Sequence, residues 1–202
     1  MIIEVFFDVE TKKLFSDVEG DDPGLLGVSI CSVYRRVMDG AMREVSGEMM
    51  SFWEKDFDRM WEMFVSADRI IGFNSIKFDA AALQPYTSIQ LKKLKHFDIL
   101  EKVRTALGHR LSLDSLCRDT LGSGKTDVGT NAVVYFAKGD AESLEKLQKY
   151  CEMDVALTRD LYDFGMKNKY LKFTDRWNRL STVTVDFSYP PRSEKDRQIG
   201  LF

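Results

Sequence analysis

The chain has 202 residues, 44% of them apolar and 30% charged, with a net charge of −3. Those values are those of a soluble globular protein with one well-packed core and room for an appendage. They lack the basic footprint that nucleic-acid binding usually leaves, although bound divalent cations can supply positive charge locally. No apolar run approaches membrane-spanning length and the first residues read as a strand, not a signal peptide, so a cytoplasmic setting with no membrane contact is expected.

Residues 2–10 alternate, with Ile3, Val5, Phe7 and Val9 on one apolar face and Phe6, Asp8 and Glu10 on the other. The stretch LLGVSICSVY (25–34) is apolar on both faces, as a central strand should be. MREVSGEMMSF reads as a third strand, and turns at GDDP and Asp39–Gly40 make the three an antiparallel meander. SFWE (51–54) has the form of a capping box, and Phe57, Met60, Trp61, Phe64 and Val65 behind it predict a helix packed on the sheet. RIIGFN is a short buried strand, SIKFDAAAL begins a helix, LKHFDIL is a further strand and SLDSLCRDTLG a helix. A long helix runs over roughly 140–166 with Asp140 as N-cap.

Beyond it, KYLKFTD and RLSTVTVDF alternate like a hairpin, and SYPPRSEKDR reads as a flexible tail. The order βββαβα-βαα-α predicts a mixed α/β sheet flanked by helices. The expected domains are 1–168, a hairpin extension at 169–188 and a tail at 189–202. Cys31, Cys117 and Cys151 lie in apolar patterns, which suits buried thiols in a reducing compartment.

Carboxylates break these patterns in three places. Asp8 and Glu10 sit two apart on one strand face. Asp154 falls inside the apolar stripe Leu144, Leu147, Cys151, Val155, Leu157, Thr158 and Leu161, one turn after Tyr150, whereas Glu142, Glu145, Lys149, Glu152 and Arg159 take the solvent side. Asp79 follows a buried strand, with Asn74 at the strand's end and Phe78 beside it, and precedes small residues that allow a helix start to approach a sheet. Taken singly, each acid has an ordinary reading: a solvated strand end, an arginine partner, a helix N-terminal acid. Taken together, four anions at one site require counter-charge, and hard oxygen donors suit Mg²⁺ or Mn²⁺. Two such ions roughly 3.5–4 Å apart form the clamp used for phosphodiester cleavage.

FFDVET resembles the first motif of the DEDD 3′→5′ exonucleases, which have a ribonuclease-H-like fold. GFNSIKFD resembles the second motif in the form of family-B DNA polymerase proofreading domains and their stand-alone relatives, and YCEMD the third, Tyr-x-x-x-Asp. The resemblance covers roughly residues 1–166. It implies that Asp8, Glu10, Asp79 and Asp154 ligate two divalent cations and that Tyr150 orients the attacking water, which marks the tyrosine subtype. The histidine subtype would need histidine where Lys149 stands. Asn74 and Phe78 would position the substrate's 3′ end. A family-B polymerase would continue for hundreds of residues, so a free-standing exonuclease or subunit is expected, serving DNA repair or replication.

The implied reaction releases nucleoside 5′-monophosphates from single-stranded nucleic acid, DNA favoured, with Lys77, Lys92, Lys93 and Lys125 as candidate backbone contacts. A catalytically weak nucleic-acid-end or clamp-binding module is the alternative, and an endonuclease of the same fold a third reading. LGSGKT (121–126) imitates a phosphate-binding loop but has Asp119 where glycine is needed and follows a helix, so it reads as a helix C-terminal glycine turn. In the terminal QIGLF, Gln198, Leu201 and Phe202 resemble a bacterial sliding-clamp-binding peptide.

Overall fold

Alternation in the first strand sets the layout of the molecule. A computed structural model describes residues 1–124 and 130–189 of the chain. Strand β1 (Ile2–Thr11) is central in a five-stranded sheet, with β2 (Val28–Met38) and β3 (Glu44–Trp53) on one side and β4 (Arg69–Gly72) and β5 (His96–Asp98) on the other. The order is β3-β2-β1-β4-β5, antiparallel across the first three strands and parallel from β1 through β4 to β5. The mixed sheet, the meander and the C-terminal hairpin are therefore as expected.

Period-two alternation divides the core between the two faces of the sheet. Val5, Phe7 and Val9 pack with Phe64, Ile70 and Ala82 on one side. On the other, Phe6 packs with Ile71, Phe97, Val155, Leu161 and Tyr162. The first face is covered by α1 (Trp61–Ser66) and α2 (Asp79–Leu83). The second is crossed by the long helix, which follows α3 (Ile99–Leu107), α4 (Leu113–Leu121) and α5 (Thr130–Lys138) and is itself α6 (Ala141–Asn168). Two helices were expected between β5 and the long one, and three are present among the described residues. The N-cap is the expected one, Asp140 accepting from the Ser143 N–H at 2.9 Å.

Val65, expected on the packed face, is exposed, and the central strand starts at Val28, not at Leu25. Two other local expectations fail because tertiary partners win over local sequence. Ser51 opens no helix: it lies in β3, and its hydroxyl is shared with Ser32 at 2.9 Å and Glu152 at 2.7 Å. A 3₁₀ segment (Glu54–Arg59) follows it, and α-helix starts only at Trp61. On α6, Glu152 and Arg159 are half-buried, not solvated, because Glu152 reaches Ser51 and Arg159 lies 4.8 Å from the centre of the Tyr34 ring.

The hairpin β6 (Tyr170–Thr174) and β7 (Leu180–Thr184) buries Leu171, Phe173 and Val183 in the α6-side core. Past β7 the backbone is clasped by the buried Arg69, which donates to the carbonyls of Phe187 at 2.8 Å and Ser188 at 2.7 Å and lies over the Tyr189 ring. Ser188 and Tyr189, read as the start of a flexible tail, are thus fastened to the core. The same end of the molecule holds Glu4, which is fully buried. Its carboxylate accepts from Arg36 at 2.7 Å, from Tyr162 at 2.9 Å and from the Tyr189 hydroxyl, and Arg36 also pairs with Asp163. Burial and the adjacent Glu4 charge push the Tyr162 phenol well above its ordinary range. Among the described residues, no helix is long and apolar enough to cross a membrane.

Candidate metal centre

The centre is assembled at the C-terminal end of β1. Asp8 and Glu10 project from the same face of that strand, opposite Ser32 and Ile30 of β2. Helix α6 crosses this face on a small residue. The Cys151 thiol is fully buried and donates to the Asp8 carbonyl at 3.4 Å, so the helix backbone lies close to the strand. One turn of helix later, Asp154 is delivered beside the strand acids. Carboxylate oxygens of Asp8, Glu10 and Asp154 lie within 4.8 Å of one another, the first two half-buried and the third buried. Burial raises the Cys151 pKa, and the charges of Asp8 and Glu10 raise it further. Burial likewise raises the Cys31 pKa, with Asp79 and Asp8 adding to it. All three cysteines are free and buried, as expected.

Asp79 reaches the same strand along its edge, through a backbone N–H. The run Ala80, Ala81, Ala82 brings α2 against the sheet, and the Asp79 carboxylate accepts from the Val9 N–H at 3.1 Å. That bond fixes Asp79 beside the peptide between Asp8 and Glu10, but not within the group formed by the other three acids. Burial pushes its pKa up to about 7; Asp98 and Asp154 push the same way, against the lowering pull of the Val9 N–H.

Asp98 is the residue that sequence reading missed. It ends β5, and its carboxylate accepts from the N–H groups of Asn74 at 2.9 Å, Ile76 at 3.1 Å and Glu101 at 3.1 Å. It therefore caps α3 and pins the loop that carries Asn74 and Phe78. An N-cap acid before ILEK was readable locally; the two loop bonds were not. The loop is tight: Asn74 has φ +66°, and a Cβ on Gly72 would come within 2.4 Å of the Ser75 Cβ.

The remaining expected residues fall as follows. Tyr150 is buried one turn before Asp154, and exposed Lys149 stands beside it, paired with Glu145. Phe78 is half-buried with its ring 6.2 Å from that of exposed Phe15, and Asn74 is half-buried. Lys77 is exposed on the pinned loop, and Lys92 and Lys93 are exposed in the turn that precedes β5. Gly122 ends α4 at φ +74° with its N–H on the Arg118 carbonyl, the glycine turn expected there. Lys125, Gln198, Leu201 and Phe202 lie outside the described residues.

Among solved structures, the chain is similar to the family B DNA polymerase of the hyperthermophilic archaeon Pyrobaculum calidifontis, with a TM-score of 0.57 and 16% identity over 82% of this chain and 25% of that one. It is also similar to Escherichia coli exonuclease I in complex with a dA16 oligonucleotide, with a TM-score of 0.48 and 14% identity over 84% of this chain and 42% of that one. The chain thus spans a quarter of the polymerase and less than half of the exonuclease. These likenesses are of fold. No curated protein sequence gives a significant match. Residues 5–165, which hold β1, the pinned loop and the acid-bearing part of α6, match the family model of the RNase_H superfamily, and the chain belongs to that superfamily.

Proposed function

We propose that the chain is a metal-dependent 3′→5′ exonuclease that hydrolyses terminal phosphodiesters of single-stranded nucleic acid, DNA in preference, and releases nucleoside 5′-monophosphates. The observation that carries this reading is the gathering of Asp8, Glu10 and Asp154 within 4.8 Å, in a chain of this superfamily. The donor set fits a hard divalent cation. All its donors are carboxylate oxygens, and ligand oxygens around an octahedral Mg²⁺ lie about 3–4 Å apart, a span this group can meet. Asp79, bonded to the Val9 N–H, stands ready as a fourth acid at the edge of the same strand.

In this reading Asp8, Glu10, Asp79 and Asp154 hold two Mg²⁺ or Mn²⁺ ions. Those ions would supply an acidified water and charge neutralisation at the scissile phosphate. The Tyr150 hydroxyl orients the attacking water from the helix turn before Asp154, and Asn74 and Phe78 hold the terminal nucleotide. Fixing that nucleotide matters because phosphodiester cleavage depends on in-line placement of the attacking and leaving oxygens. Lys125 would contact the phosphate backbone, and Gln198, Leu201 and Phe202 would dock on a sliding clamp; both assignments rest on sequence alone.

A direct assay uses 5′-labelled single-stranded DNA and RNA with Mg²⁺, Mn²⁺ or EDTA, beside an Asp154→Ala control. The proposal expects a ladder shortening from the 3′ end that EDTA and Asp154→Ala abolish, with DNA shortened faster than RNA. Internal cuts, or retention without cleavage, contradict it. Deleting the last five residues should abolish capture by a sliding clamp and spare cleavage of short oligonucleotides.

A further inference from the structure

Two hollows flank the α3–α4 loop, and the first opens beside the end of β5. The first is lined by Asn74, Lys77, Asp98, Arg104 and Arg110, with Leu100 and Glu101 completing it. The second, about 560 Å³, is lined by His109, Phe173, Asp175, Arg176, Trp177 and Ser181. Asp98 connects the first hollow to the candidate centre, since it holds the N–H groups of Asn74 and Ile76 in the loop that leads into Asp79. Arg110 belongs to the first hollow and its neighbour His109 to the second, so the α3–α4 loop is the saddle between them.

The hairpin points back toward this end because it doubles back on α6. From Asp154 to Tyr162, α6 runs about 12 Å toward the start of β1, where Tyr162 meets Glu4. Strand β6 then returns roughly 13 Å from Tyr170 to Thr174, held to α4 by the bonds between Thr120 and Lys172. Helix α6 runs on to Asn168 before the hairpin begins, so the tip, Asp175–Arg179, is carried back along α6 in the direction of the acid-bearing turn without reaching its level.

Chemistry at the tip points to a ligand. Trp177 is 61% exposed and contributes nothing to the core. The Arg176 guanidinium lies 4.1 Å from its ring centre and that of Arg179 6.0 Å. Four basic side chains, Lys77, Arg104, Arg110 and Arg176, line the hollows against three acids, Asp98, Glu101 and Asp175, two of which are engaged with backbone. Asp175 accepts from the N–H groups of Trp177 and Arg179, and Asp98 from three others. Among the described residues, Lys77, Arg104, Arg110 and Arg176 form no ion pair. A positive surplus beside an exposed aromatic face suits a phosphate backbone with bases free to stack.

We infer that the two hollows form one track for single-stranded nucleic acid. The backbone runs over Lys77, Arg104 and Arg110, and an upstream base stacks on Trp177 at the hairpin tip. The direction of the strand, 3′ end at the acids, rests on the exonuclease reading; binding along the track does not. The hairpin is then a substrate-holding element, and the net charge of −3 conceals a local basic path.

The test measures fluorescence anisotropy of the full chain carrying Asp154→Asn, in EDTA, with a labelled oligonucleotide of about 12 nucleotides. Trp177→Ala should weaken binding about tenfold, and Trp177→Phe should recover most of the loss, as expected for a stacking face. Arg110→Ala should weaken binding and flatten its dependence on salt. Thermal unfolding of the Trp177 variants should match the parent, since the side chain is outside the core. A Trp177→Ala chain that binds as tightly as the parent overturns the track, as does a parent that binds no oligonucleotide. If the exonuclease reading alone fails, the cleavage ladder is absent while the Trp177 binding loss remains. If the track alone fails, the ladder forms and Trp177→Ala leaves affinity unchanged.

Discussion

Strand β1 carries carboxylates toward both ends of one face, and the two ends treat them in opposite ways. At Glu4 the fold supplies compensation: Arg36 and the Tyr162 and Tyr189 hydroxyls converge on a fully buried carboxylate. Four residues along, Asp8 and Glu10 meet another acid, Asp154, with Asp79 at the strand's edge. Gathering acids with acids raises the energy of the folded apoprotein. In the reading proposed above, the acid end is the place where divalent cations bring positive charge. On that proposal, the contrast separates a carboxylate that fastens the fold from carboxylates that serve chemistry.

That contrast is open to attack by mutation. The largest effect should come at the compensated end. Arg36→Ala strands a buried charge and should destabilise the protein by about 3–5 kcal/mol in urea unfolding. A loss under about 1 kcal/mol would show that the Glu4 end is not held by that pair. At the acid end the order reverses. Asp8→Asn should lower metal-dependent cleavage by more than about 100-fold, beyond what changes to outer partners of metal sites cost. In EDTA the same variant should unfold no more easily than the parent. Marked destabilisation there would mean that Asp8 is a structural acid like Glu4.

Stability against pH gives a smaller, signed effect. The Asp79 carboxyl is pushed up to about 7 in the folded protein, first by burial, from about 3.9 in the unfolded chain. The folded state therefore holds this proton more tightly, and its contribution to stability is full below about pH 4 and is lost as pH rises through 7. In EDTA, denaturant midpoints should fall over that window, and Asp79→Asn should flatten the slope. A slope that the substitution leaves intact assigns the dependence elsewhere. The smallest effect is a control: Lys146 is exposed and pairs with Glu142 on the solvent side of α6, so Lys146→Ala should change neither unfolding nor cleavage measurably.

Much of this was legible in the sequence, for reasons that can be assigned residue by residue. Asp8 and Glu10 stood out because a strand repeats every two residues, and Asp154 because a helical stripe repeats every 3.6. Asp79 was visible as an acid after a buried strand and before small residues. Glu4 lies on the same strand face yet went unread, because its partners are 32 and 158 residues away and no local spacing encodes them. Asp98 was half legible, as an N-cap before α3, while its hold on the Asn74 loop depends on parallel pairing of β4 with β5. SFWE misled for the converse reason: a good local cap lost Ser51 to Ser32 and Glu152 across the sheet.

The central claim is that Asp8, Glu10 and Asp154 are gathered to hold divalent cations. Anomalous diffraction from crystals grown with Mn²⁺ tests it most directly. The account predicts a manganese peak bonded to carboxylate oxygens of Asp8 and Asp154, absent from crystals of the Asp154→Asn chain. Crystals of the parent chain with no anomalous peak among these acids at saturating Mn²⁺ would contradict it.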